Sequence, residues 1–175
     1  ERVMAALNAL VGQQPISVIG ARVVPADFHA RFSATGRRYL YRILPRCQPP
    51  ALDLGRVWHH KMALDTDLMQ RAADMLIGRH DFTSFRATHC QADSPVRTLD
   101  TLDVASAGSE IHIHAAARSF LHHQVRNMVG TLALVGTGKW QPEQVARALA
   151  ACDRSAAGPT APPEGLYLTK VNYPI

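Results

Sequence analysis

The sequence predicts an α+β fold, a mostly antiparallel sheet with helices packed on one face. Three observations carry that expectation. "RRYLYRIL", Arg37 to Leu44, alternates in strand fashion, with Tyr39, Tyr41 and Ile43 on one face and Arg38, Leu40 and Arg42 on the other. "PVRTLDTLDVASAGSEIHIHAAA" reads as two strands joined at Ala107-Gly108, with Ile111 and Ile113 opposite His112 and His114. Between and after these runs lie segments whose apolar residues recur at helical spacing.

The elements follow in order. The chain opens on "ERVMAALNALVGQQ", which looks like helix and lacks the basic start, apolar centre and cleavage site of a signal peptide. Residues 1–26 are expected to be the residual end of a preceding N-terminal half and linker, and 27–175 a C-terminal domain. "PRCQPPALDLG", Pro45 to Gly55, is a loop, because its prolines break any ladder or helix. "LDTDLMQRAADMLIG" is a helix with an acidic first turn, Leu68, Ala72, Met75 and Leu76 at helical spacing, and Gly78 as its stop.

"ARSFLHHQVRNMVG", Ala117 to Gly130, runs into "TLALVG" and reads as one apolar helix. Leu121, Val125, Met128, Val129, Leu132 and Val135 share a face, and Arg126 falls beyond its edge. A helix apolar over so much of its circumference is expected to be buried, and a guanidinium there needs an anion because it cannot shed its proton. "PEQVARALAA" begins with Pro142 at a first-turn position and forms a short helix. "RSAAGPTAPPEG", Arg154 to Gly165, is irregular, and "GLYLTKVNY" is a last strand.

The 175 residues suffice for a real core, and no run of apolar residues is long enough to span a membrane. Cys47, Cys90 and Cys152 are odd in number and widely spaced, which favours free thiols in a reducing cytoplasm. Nineteen residues are Lys or Arg, and only Lys61, Lys139 and Lys170 are Lys; the formal net charge is +5. An Arg-rich basic chain suits nucleic acid, since the guanidinium forks onto phosphate and stacks on bases. Arg-favouring codon usage would leave the same mark.

Metal chemistry finds little support. His112 and His114 face one side of a strand, a possible ligand pair, but His59-His60 and His122-His123 are neighbours that diverge. The zinc-protease, zinc-deaminase and C-x-x-C patterns do not occur, nor do nucleophile-elbow or phosphate-loop motifs. What remains is Arg interleaved with aromatic residues. Phe28, His29, Arg31 and Phe32 precede Arg37, Arg38, Tyr39 and Tyr41; Phe82, Phe85 and Arg86 follow, then Arg97. Such clusters offer stacking platforms and phosphate clamps for unpaired bases. Core roles for Phe28, Phe32, Phe82 and Phe85 are the main alternative, and plain surface charge is the alternative for Arg37, Arg38 and Arg97.

In this order, "DFHARFSATGRRYLY", "GRHDFTSFRA", Pro95-Val96-Arg97-Thr98, "SFLHHQVRNMVG" and "APPEGLYL" resemble the tRNA pseudouridine synthase A family. The five blocks run from about Asp27 to Tyr173. The resemblance implies the pseudouridine synthase fold and isomerisation of uridine to pseudouridine in the tRNA anticodon arm, at positions 38 to 40. It implies an enzyme without cofactor or metal, acting as a homodimer on the anticodon stem-loop, and the cysteine usage places it in the cytoplasm. By the same resemblance Tyr39 stacks on the flipped uracil and takes a proton, and Arg126 pairs with the catalytic aspartate. Leu166 lines the uracil pocket, and Arg37, Arg38, Phe85, Arg86, Arg97 and His122 are the further candidates for substrate contact.

The family's aspartate lies in a G-R-T-D-A-G-x-H motif, and no such string occurs in this sequence. "RTLD", Arg97 to Asp100, is broken by Leu99. The chain is therefore expected to be a C-terminal portion, catalytically silent alone, with Arg126 short of its partner at a cost of roughly 3–5 kcal/mol. The aspartate would act as a covalent nucleophile or as the base that opens a glycal route. A non-catalytic RNA-binding module on the same scaffold is the alternative, and a metal-binding protein using His112 and His114 a weaker one.

Overall fold

The computed structural model describes residues 1–174, which divide into two compact units, Glu1–Ser33 and the remainder from Ala34. In the first, α1 (Arg2–Val11) buries none of its residues. Asn8 closes the turn after it: its Nδ2 donates to the Val18 carbonyl at 2.9 Å and its Oδ1 accepts from the Val18 amide at 2.8 Å. Phe32 is 74% exposed, which overturns a core role for it, while Phe28 is half-buried.

The second unit is α+β. Strand β1 (Gly36–Pro45) is the spine of a six-stranded sheet with β2 (Trp58–His60), β3 (Gly78–Asp81), β4 (Val96–Ala107), β5 (Glu110–Ala117) and β6 (Leu166–Asn172). On one side β1 pairs antiparallel with β5, which pairs with β4 and thence with β3. Its other edge is shared. Residues Gly36 to Tyr41 pair antiparallel with β6, and Ile43 to Pro45 pair parallel with β2. The hairpin expected at Ala107-Gly108 is present, with Gly108 at φ 62°.

The alternation of β1 survives pairing. Tyr41 and Ile43 meet Ile113 and Ile111 across the ladder, and all four are buried on one face. Against that face pack α2 (Thr66–Asp74) and α3 (Gln124–Gly136), with α4 (Pro142–Ala150) beside α2. Helix α2 starts where Asp65 accepts the Asp67 and Leu68 amides, and it buries Met69, Ala72 and Ala73. The expected stop at Gly78 is displaced. The helix ends at Asp74, and Gly78, at φ 108°, opens β3. Beyond Leu99 the edge of β4 lacks a strand, and Gln70 of α2 serves it, accepting from the Val104 amide at 2.6 Å and donating to the Leu102 carbonyl.

The expected long helix from Ala117 is shorter. Ala117 belongs to β5, opposite Arg37 and Leu99, and α3 begins at Gln124. His123 separates them in the left-handed region at φ 61°, where the chain turns from strand to helix. Burial of the helix is as expected: all six residues of the apolar stripe are buried, and so are Gln124, Asn127 and Thr131. Among the described residues no helix is long and apolar enough to cross a membrane.

Candidate active site

The irregular stretch before β6 is a strap laid across α3. Gly130 makes this possible, because a Cβ there would lie 1.8 Å from the Pro159 carbonyl oxygen. At the far end, a Cβ on Gly165 would meet the Arg42 carbonyl oxygen at 2.6 Å and the Tyr41 ring at 2.7 Å. The strap therefore rests its backbone directly on the helix and on β1. Side chains then tie it down. Thr131 Oγ1 accepts from the Gly158 amide at 3.0 Å and donates to the Asn127 carbonyl at 2.7 Å. Thr160 Oγ1 donates to Asn127 Oδ1 at 2.6 Å, and Tyr41 donates its hydroxyl proton to the Pro162 carbonyl at 2.6 Å.

Arg126 sits where α3 meets this strap. It is half-buried, its Nε donates to the Ala161 carbonyl at 2.7 Å, and its own carbonyl accepts from the Ala161 amide at 3.0 Å. A backbone carbonyl thus takes up one donor of a guanidinium that was expected to require an anion. No carboxylate lies within ion-pair distance of it among the described residues. Asp100, in the broken "RTLD", is exposed on the irregular step of β4.

Tyr39 and Tyr41 point to the same face of β1 but differ in kind. Tyr41 is fully buried; burial pushes its hydroxyl well above the usual phenol range, and the nearby Arg126 charge only partly offsets this. Tyr39 is half-buried, with its ring edge-on to Phe120 at 5.2 Å between centroids. Across the β1–β6 ladder Tyr39 pairs with Leu168 and Tyr41 with Leu166. Leu166, half-buried, immediately follows the strap. Tyr39, Tyr41 and Leu166 thus share one sheet face, and the strap that leads into Leu166 carries the carbonyl that Arg126 holds.

The remaining candidates scatter. Arg37 lies on the Tyr39 face, where its Nη1 donates to the Arg118 carbonyl at 2.6 Å, but Arg38 is exposed on the opposite face. Phe85 is fully buried, like Phe82; its ring belongs to the core, so its assignment as a substrate contact is corrected. Arg86 is half-buried beside it. Arg97 folds back on its own loop, donating to the Ser94 and Val96 carbonyls, and its Nε is buried without a partner among the described residues. His122 is exposed and not on the helix, and its carbonyl accepts from the Ala87 amide at 2.9 Å. Next to it, burial lowers the affinity of His123 for a proton, and the charges of His122 and Arg126 lower it further.

Sequence reasoning assigned no role to Asn127, Thr131, Thr160 or Arg154. They carry the hydrogen bonds that seat the strap, and periodicity assigns such residues only to a buried face or a loop. On the sheet's other face, Arg42 donates to both Glu110 carboxylate oxygens, at 2.8 and 2.7 Å, and to Asp53 at 3.2 Å. His112 joins Glu110 at 3.0 Å, while His114 stands 6.3 Å away ring to ring. No group of three or more His, Cys, Asp or Glu side chains converges as metal ligands among the described residues.

A model of the tRNA pseudouridine synthase family matches residues 72–174. The chain is 62% identical over 172 residues to the tRNA pseudouridine synthase A of Rhodospirillum rubrum, covering 98% of this chain and 62% of that protein. It is 59% identical to the tRNA pseudouridine synthase A of Rhodospirillum centenum, covering 99% of this chain and 71% of the relative. The tRNA pseudouridine synthase A of Caulobacter sp. is 58% identical, with 99% and 70% covered. The chain thus spans roughly two thirds of the length of these relatives, and it belongs to the tRNA pseudouridine synthase family.

Proposed function

We propose that the protein isomerises uridine to pseudouridine in the anticodon arm of tRNA, with the uridine seated between Tyr39, Leu166 and Arg126. The observation that carries this reading is the strap: its Ala161 carbonyl takes the Arg126 Nε–H, its Pro162 carbonyl takes the Tyr41 hydroxyl, and Leu166 follows at the start of β6, paired with Tyr41 on the strand face that also carries Tyr39. A base flipped out of its stack needs a ring to stack on and an apolar wall, and the half-buried Tyr39 and Leu166 are placed to provide them.

The reaction breaks the C1′–N1 bond, rotates the uracil and joins C1′ to C5; C5 gives up its proton and N1 takes one up, so composition is unchanged. Of the Tyr39–Tyr41 pair, Tyr39 is the one that is half-buried; the Tyr41 hydroxyl is already engaged with Pro162. Arg126 would hold the carboxylate that attacks C1′ or removes a proton from the sugar, its free Nη groups forking onto that anion. Arg37, Arg86, Arg97 and His122 would contact the RNA backbone around the site, and Arg38, on the other face, a more distant phosphate. The net charge of +5 is in keeping with a polyanionic substrate. We read the enzyme as cytoplasmic and homodimeric, with one tRNA bridging two subunits.

The test is pseudouridine formation on an unmodified tRNA, with this chain alone and with a segment carrying the family's G-R-T-D-A-G-x-H motif supplied. Turnover only after the addition is the expected result. Turnover by the chain alone would assign the chemistry to a carboxylate within it. RNA binding without turnover in either case would favour the binding-module reading.

A further inference from the structure

We propose that Asn127 and Thr160 are positioning residues for Arg126, a role that rests on the function proposed above. The direction of the Arg126 guanidinium is set by the Ala161 carbonyl, which accepts its Nε–H at 2.7 Å. That carbonyl lies on a strap with little means of holding itself in place. Pro159, Pro162 and Pro163 have no N–H, and the backbone between Ala157 and Pro162 forms neither helix nor strand.

The amide of Ala161 itself donates to the Arg126 carbonyl, and Tyr41 holds Pro162 after it; the residue before it is held by a polar network around Asn127, the residue next to Arg126 on α3. Asn127 is 1% exposed, and its amide has no freedom to turn. Nδ2 donates to the Phe85 carbonyl at 2.8 Å, and Oδ1 accepts the Thr160 hydroxyl at 2.6 Å. Arg154 closes the network, donating through Nη2 to Thr160 Oγ1 at 3.2 Å and to Asn127 Oδ1 at 3.4 Å, and through Nη1 to the Gly158 carbonyl at 2.9 Å. Thr160 immediately precedes Ala161. Consecutive side chains on the helix therefore take hold of consecutive residues on the strap, Asn127 gripping Thr160 and Arg126 gripping Ala161.

An apolar pair would seat the strap without burying the Asn127 amide and half-burying the Thr160 hydroxyl and the Arg154 guanidinium. It would not fix the strap's position along the helix, because dispersion contacts are not directional. The hydrogen bonds do fix it, and a guanidinium aimed at a carboxylate tolerates little displacement.

Thr160→Val keeps the shape and removes the hydroxyl; Thr160→Ser keeps the hydroxyl. Both are to be made in this chain and assayed with the aspartate-bearing segment supplied. Thr160→Val is expected to lower kcat about tenfold to 100-fold, the cost of roughly 1 Å of misplacement, with tRNA affinity and folded fraction unchanged. Thr160→Ser is expected to restore it. The Nε–H resonance of Arg126 gives a readout independent of turnover, slow to exchange in the unaltered chain and Thr160→Ser, fast in Thr160→Val. An unchanged kcat in Thr160→Val, a loss that tracks the folded fraction, or failure of serine to rescue would each overturn the positioning role. If the unaltered protein itself forms no pseudouridine, the functional reading falls and takes this one with it. If it is active and Thr160→Val is indifferent, only the positioning role falls.

Discussion

Gly130→Ala adds one methyl group at the point where the strap touches α3, and its effect can be worked out from the contact. The new Cβ would stand 1.8 Å from the Pro159 carbonyl oxygen and 2.9 Å from its carbon. Since C···O contacts settle near 3.3 Å, the strap must retreat by about 1.5 Å. Both obstructing atoms are backbone, so no rotamer change relieves them. A shift of that size would open the 3.0 Å bond from the Ala161 amide to the Arg126 carbonyl and the 3.0 Å bond from the Gly158 amide to Thr131. Overpacking costs about 1–3 kcal/mol and the two hydrogen bonds about 1 kcal/mol each, giving roughly 3–5 kcal/mol. The better helix propensity of alanine returns about 1 kcal/mol, so the clash prevails by about 2–4 kcal/mol. For a chain of this size that lowers Tm by about 4–16 °C. Differential scanning calorimetry reads the shift, and amide exchange at Ala161 reads the loosened strap. An unchanged Tm with undiminished protection at Ala161 would refute the idea that the strap is clamped at this glycine.

Further outcomes are expected elsewhere. Under whichever condition pseudouridine forms, Arg126→Ala should abolish it while leaving tRNA affinity within about tenfold, or about 1.4 kcal/mol; filter binding and product analysis separate the two. Tyr41→Phe leaves the Pro162 carbonyl without its buried donor and should cost about 1–3 kcal/mol in urea unfolding. Tyr39→Phe should leave stability unchanged and slow turnover instead. Glu110 is held below the ordinary carboxylate range chiefly by its hydrogen bonds to Arg42, with His112 adding to the effect. Its contribution to stability is therefore present above pH 4.5 and lost as the pH falls from there through the lowered folded-state value. Unfolding midpoints measured from pH 6 down to pH 3 should fall more steeply for the unaltered chain than for Glu110→Gln, and equal slopes would contradict the assignment.

How much of this was legible in advance depended on the kind of signal. Strand alternation at 37–44 and at 96–117 carried into the paired register, because a buried sheet face demands every second residue. The apolar stripe of α3 was equally plain, and Arg126 stood out on it as a charge needing company. The three-residue β2 and four-residue β3 were invisible, since elements so short have no period to detect and exist through their partners. The start of α3 was misplaced for a related reason. "ARSFLHH" is compatible with helix by composition, but Ala117 is claimed by two neighbouring strands and His123 turns the chain. Phe85 failed as a substrate contact because an Arg-flanked aromatic looks the same in sequence whether its ring is exposed or buried.

The sequence by itself determined the α+β class, the strand and helix faces of its longer elements, the basic character and, through five ordered blocks, the family. These properties are local or compositional, so a linear reading contains them. Only the tertiary structure decided which tyrosine of the pair remains open, what supports Arg126, and how a proline-rich stretch is seated on a helix 30 or so residues earlier in the chain. Those depend on Gly130, Asn127 and Thr160 meeting across that separation at distances of hydrogen bonds and atomic contact, which no periodicity encodes.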